Sequence, residues 1–110
     1  MIIELKKFGN LLSSRPLGKE ALAALSPLLP KNDSETIIVD FSGVSTFSPS
    51  WGDEFLSPLQ QKYQDRLFLK NTANPSVKAT IEILEETNNI KFQTKIAEEE
   101  RISAPLSPAT

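Results

Sequence analysis

The chain contains neither cysteine nor histidine among its 110 residues. Without cysteine there are no disulfides, thiolate nucleophiles or thiolate metal sites, although this alone does not tell a reducing compartment from an oxidising one. The missing histidine excludes more. It removes histidine-based triads, imidazole proton shuttles and nearly every zinc site, leaving carboxylates, lysines, hydroxyls and one tyrosine for any chemistry. Long apolar runs are also absent. Met1-Ile2-Ile3 is followed at once by Glu4, Lys6 and Lys7, so there is no leader-type core of ~7–15 apolar residues. No run approaches the ~20 residues that cross a bilayer, and the expectation is a cytoplasmic protein that makes no membrane contact. Twelve basic residues against fourteen acidic ones give a formal charge of −2. They form no basic stripe that would follow a phosphate backbone, so nucleic acid is not an expected partner.

At 39% hydrophobic and 24% charged residues the composition is that of an ordinary globular domain. The length suits one core. The most strongly signalled stretch runs from Ile37 to Leu59. Ile37, Ile38, Val39 and Phe41, broken only by Asp40, predict a strand covered on both faces, as in parallel sheets beneath helices. Ser48 then offers a side-chain acceptor to a first-turn amide and Pro49 occupies the first helical position, where its lost donor has no partner anyway. The helix is predicted to reach Tyr63, with Trp51, Phe55, Leu56, Leu59 and Tyr63 on one apolar stripe and Asp53, Gln60 and Gln64 off it. Pro58 within this run predicts a bend or a loosened bond.

Around this unit, residues 2–8 predict a first strand placed at the sheet edge by its lysines. A helix starts near Pro16, with Leu17, Ala21, Leu22, Leu25 and Leu29 at helical spacing; Pro27 ends or kinks it near Leu25, and Leu28 and Leu29 pack as an extension. The segment 42–46 reads as a turn, 66–70 as a short strand, and Asn74-Pro75 as the capped start of a helix to about Thr87. Residues 90–97 alternate like a half-exposed edge strand. The fold class is therefore α/β: a single domain over residues 1–97 in the order β-α-β-α-β-α-β, with a four-stranded mixed or parallel sheet and helices packed on it. Residues 98–110, rich in Glu, Ser, Pro and Ala, predict a flexible or weakly helical tail.

The turn from Ser48 to Asp53 lies where a helix dipole and free amides favour negative charge. An anion or a phosphorylated side chain suits it; so does plain capping, with nothing bound. Glycine is scarce there, only Gly43 and Gly52, and no phosphate cradle of the GxxxxGK[ST] type exists. Asp40 either serves a metal or phosphoryl group or bonds the loop amides between Phe41 and Val44, and the second role is the commoner. Asp53 and Glu54, diverging by roughly 100° on a helix, are not expected to face one group together and read as dipole complements. Arg15 suits a partner's carboxylate or phosphate, or a surface salt bridge.

The segment VDFSGVSTFSPSWGDEFL resembles the central motif of the STAS domain, the fold of bacterial anti-sigma factor antagonists. It is more closely similar to small bacterial STAS-like proteins of unknown function, through Asp40, Phe41, Val44, Ser48, Pro49, Ser50, Trp51, Asp53, Glu54 and Phe55; the Arg15 region and Asn71, Asn74 and Pro75 add to the likeness. The resemblance implies a non-enzymatic regulatory module. It would bind an anti-sigma factor or a histidine-kinase-type ATPase through Ser48, Pro49, Ser50 and Asp53, with Asp40 and Arg15 supporting the motif and no cofactor or metal. In antagonists a kinase phosphorylates the first serine of an Asp-Ser-Ser-Gly turn. That position falls on Pro49, leaving Ser48 and Ser50 as candidate acceptors to either side. The alternative is a small-anion or nucleotide sensor using the same turn; an enzyme built on Asp40 with Asp53 or Glu54 ranks last.

Overall fold

The structure is a computed structural model describing residues 1–31 and 34–95. Four parallel strands form the main sheet: β1 (Ile2–Glu4), β3 (Ile37–Asp40), β5 (Leu67–Lys70) and β6 (Gln93–Lys95), in the order β1-β3-β5-β6. The register aligns Ile3 with Val39, Val39 with Leu69, and Leu69 with Thr94. Both expected edge positions are edges. The first strand is shorter than the sequence suggests: after Glu4, residues Leu5–Phe8 turn into a 3-10 helix, so only three of the seven residues pair. This is how Leu5 reaches full burial while Lys6, Lys7 and Phe8 stay outside.

Two strands were not foreseen. β2 (Leu11–Leu12) and β4 (Thr46–Phe47) pair in parallel as a separate two-stranded sheet, where the sequence suggested an unpaired connection and a turn. Leu12 and Phe47 are buried by this pairing, and Ser48 N donates to Leu12 O at 2.9 Å, anchoring the segment that precedes the next helix.

Among the described residues three α-helices complete the fold: α1 (Arg15–Leu25), α2 (Pro49–Tyr63) and α3 (Pro75–Asn88). Pro27 ends α1 as expected, converting Ser26–Leu28 to a 3-10 turn. Pro58 does not interrupt α2, which is one continuous helix over its fifteen residues. Asn89 closes α3 in the left-handed conformation, a role asparagine tolerates.

Along β3 and β5 buried residues alternate with half-buried ones: Ile37, Val39, Leu67 and Leu69 are fully buried, Ile38 and Phe68 only partly. The core thus lies on one face, and the expectation of a strand covered on both faces is corrected: the helices cover one side. Trp51 stacks on Phe55 at 4.7 Å between ring centroids, and Phe47 meets Trp51 edge-on at 6.1 Å. The whole predicted stripe of α2 is buried. Leu17 and Leu28, expected to pack inward, are instead 54% and 71% exposed. The expected tail over 98–110, and the last two residues of the strand expected over 90–97, lie outside the described residues.

Candidate functional site

Ser48 has extended backbone angles and its Oγ accepts from Trp51 N at 3.2 Å, while its carbonyl accepts from Gly52 N at 3.0 Å. Pro49 carries no amide hydrogen. Of the first donors of α2, then, the amide of Ser50 alone remains among the described residues. Pro49 is exposed; Ser50 is half-buried and its hydroxyl forms no hydrogen bond among the described residues. Ser48 is committed to capping.

The turn is held to the start of α1. Arg15 Nη1 donates to Glu54 Oε2 at 2.6 Å and to Asp53 Oδ2 at 3.1 Å. Asp53 and Glu54 were expected to diverge as dipole complements. They instead converge on one nitrogen, because Arg15 reaches both from the start of the crossing helix. Neither acid belongs to the first turn of α2. The guanidinium pKa is raised above its ordinary value, first by the bond to Glu54 and then by that to Asp53. Glu54, not among the residues expected to meet a partner, is the shorter contact; no local signal foretells its pairing, since Arg15 is thirty-nine positions away.

What brings the helices together is a close crossing. A Cβ on Gly18 would lie 2.5 Å from Trp51 O and 3.0 Å from Trp51 Cα, so only glycine allows α1 to meet the α2 backbone there. Ser14 caps α1 by accepting from Leu17 N at 3.3 Å, at a backbone φ of 77° that is uncommon outside glycine. The residue before Arg15 is thus held in an unusual conformation that launches α1 at this point.

Asp40 takes the commoner of its two expected roles. Its Oδ1 accepts from Ser42 N at 2.9 Å and from Asn71 Nδ2 at 2.8 Å, tying the ends of β3 and β5 together. It does not join Arg15 or Ser48 in any contact given by the structure. Asn74 performs the equivalent service for α3: its Oδ1 accepts from Ser76 N and Val77 N, while its Nδ2 reaches the carbonyls of Val44 and Ser45. Ser76 and Thr80 both donate to Phe47 O, fixing β4 directly before the site. The site is therefore Ser48, Pro49, Ser50, Asp53 and Glu54 on α2 with Arg15 from α1; Asp40 supports the scaffold from a distance. Among the described residues no group of His, Cys, Asp and Glu is arranged to hold a metal ion.

A family model described as a STAS-like domain of unknown function matches residues 18–77, more than half of the chain and including the whole of α2. Neither the curated proteins nor the solved structures provide a match.

Proposed function

We propose, from the premise that the chain belongs to the STAS-like domain family of unknown function, that it is a non-enzymatic regulatory module of the cytoplasm which presents the start of α2 to a protein partner. The observation that carries this reading is the state of the turn's polar groups. One guanidinium is shared by two carboxylates, leaving the Arg15–Asp53–Glu54 group with an excess negative charge, and the Trp51 and Gly52 amides are occupied by Ser48. An anion or nucleotide would find a single free amide and a repelling field. A protein surface with basic residues finds a rigid, acidic edge flanked by the exposed Pro49 and the unbonded Ser50 hydroxyl. The small-anion sensor is for this reason the weaker reading.

The resemblance to anti-sigma factor antagonists makes an anti-sigma factor or a histidine-kinase-type ATPase the partner of choice. Phosphorylation at Ser50, whose hydroxyl is uncommitted, would add negative charge to an already acidic edge and tighten its hold on a partner's basic residues; Ser48 is the less suitable acceptor because its oxygen caps the helix. Affinity capture from the native cell with wild-type protein and with an Asp53→Lys, Glu54→Lys double variant, which reverses the charge of the edge, tests the proposal. The wild type should retain an anti-sigma or ATPase-domain protein that the variant loses. Equal capture by both, or a thermal shift of the wild type with inorganic phosphate alone, overturns it.

A further inference from the structure

We propose, resting on the reading of α2 as a regulatory surface, that Arg15 is the receptor for a phosphate group on Ser50. Once Ser50 is modified, the guanidinium turns its unused edge to the phosphate and loosens its hold on Asp53 and Glu54. Ser50 stands three positions before Asp53 and four before Glu54, which on a helix makes them surface neighbours about 5–6 Å apart between Cβ atoms. Seen down the axis, Ser50 projects between the two acids, roughly 60° from Asp53 and 40° from Glu54. Arg15 Nη1 donates to both, at 3.1 Å to Asp53 Oδ2 and 2.6 Å to Glu54 Oε2, so its head group spans the strip of α2 on which Ser50 lies. A cation from α1 is therefore already in place beside the serine.

Arg15 has donors to spare. A guanidinium carries five N–H groups, and both bonds made by Arg15 among the described residues leave from Nη1 alone. Nε and Nη2, an edge that grips an anion at two points, are unengaged, and the side chain is 52% exposed. The acceptor is equally uncommitted: the Ser50 hydroxyl forms no hydrogen bond among the described residues, whereas Ser48 Oγ holds Trp51 N. In the modification Ser50 Oγ attacks the γ-phosphorus of ATP, the bond to ADP breaks and the hydroxyl proton passes to solvent. The product carries up to two charges and three acceptor oxygens, and competes strongly with a carboxylate for the guanidinium. As Arg15 turns, Asp53 and Glu54 lose their shared cation, and the edge offers two bare carboxylates to a partner's basic residues. Free phosphate gains no such hold, because only attachment to Ser50 keeps it beside Arg15 against the repulsion of both acids.

The test uses the full chain with phosphoserine placed at position 50 during translation, so that no kinase is needed. Phosphorus NMR follows the second ionisation of the phosphate, which falls at about pH 6 in an unperturbed phosphoserine. Arg15→Ala and the longer Arg15→Gln should each raise that midpoint by about one unit, because the cation favours the doubly charged form. Arg15→Lys should raise it less, and Lys62→Ala, in the last turn of α2, should leave it unmoved. Asp53→Asn with Glu54→Gln should lower it while keeping its dependence on Arg15. Circular dichroism checks that each variant is folded. The same midpoint with and without the Arg15 side chain overturns the proposal. Capture from the native cell separates it from the regulatory reading. A partner held by the phosphoserine protein, with a midpoint indifferent to Arg15, overturns the receptor role alone; a midpoint set by Arg15 with no partner captured upholds that role and overturns the regulatory reading.

Discussion

Replacing Gly18 by alanine adds one methyl group at the point where α1 meets α2. The new Cβ would lie 2.5 Å from Trp51 O, 3.0 Å from Trp51 Cα and 3.1 Å from Trp51 C, against 3.4 Å for an ordinary contact. The atoms it meets are backbone within a helix and cannot rotate away, so the two helices must separate or tilt by about 0.9 Å, the difference between 3.4 and 2.5 Å. Overpacking of this kind costs about 1–3 kcal/mol. Alanine's better helix propensity returns about 0.8–1 kcal/mol. With rigid backbone as the obstacle the upper part of the range applies, and a net loss of about 2 kcal/mol, or roughly 8 °C or more in melting midpoint, is expected. Urea denaturation followed by the emission of Trp51, the sole tryptophan, measures this and also reports whether its buried environment is opened in the native state. Gly52→Ala is the control. There the nearest atoms are Phe47 Cζ at 2.8 Å and Leu84 Cδ1 at 2.9 Å, side-chain ends that can move, so its effect should be the smaller of the two. A Gly18→Ala variant as stable as the wild type, or less perturbed than Gly52→Ala, would refute the idea that backbone contact sets the helix crossing that carries Arg15 to Asp53 and Glu54.

Other contacts that position the turn give further expectations. Asn74→Ala removes the cap of α3 and the link to the carbonyls of Val44 and Ser45, and should lower stability by about 1–2 kcal/mol in urea denaturation with an unchanged m-value. Thr80→Val keeps the buried shape but withdraws a donor from Phe47 O; since Ser76 still donates there, the loss should be about 1 kcal/mol. The double variant with Ser76→Ala should lose more than the sum of the single changes, because only then is that carbonyl stripped of both side-chain donors.

The parts of the fold that could be read in advance are those whose causes are local. Ser48 followed by proline marks the start of α2, and Trp51, Phe55, Leu56, Leu59 and Tyr63 all sit on its buried face, because capping and helical periodicity act within a few residues. The β2–β4 sheet escaped notice for the opposite reason. Each strand has two residues and no period, and exists only because Leu11 and Leu12 meet Thr46 and Phe47 from a distant part of the chain. The convergence of Asp53 and Glu54 on Arg15 is likewise set by the α1–α2 crossing, which no helical wheel contains. Periodicity also misplaced Leu17 and Leu28, both apolar and near the stripe of Ala21, Leu25 and Leu29: Gly18 draws the first turn of α1 so close to Trp51 that glycine, not Leu17, occupies the contact, and Leu28 lies in the 3-10 turn that Pro27 starts, out of phase with the helix.

That displacement ties the exposure of Leu17 to the position of Arg15. A wider crossing would let a side chain at position 18 fill the interface, but would move Arg15 away from Glu54. A closer one seats Arg15 between its two acids and leaves Leu17 facing solvent, eleven positions before the exposed Leu28. The exposure of Leu17 and the geometry of the acidic edge are therefore consequences of one glycine-mediated approach. Gly18→Ala should disturb both: the emission of Trp51, whose backbone meets position 18, should shift together with the salt dependence of partner capture at the acidic edge. A Gly18→Ala variant that weakened capture while leaving Trp51 emission intact would contradict this common origin.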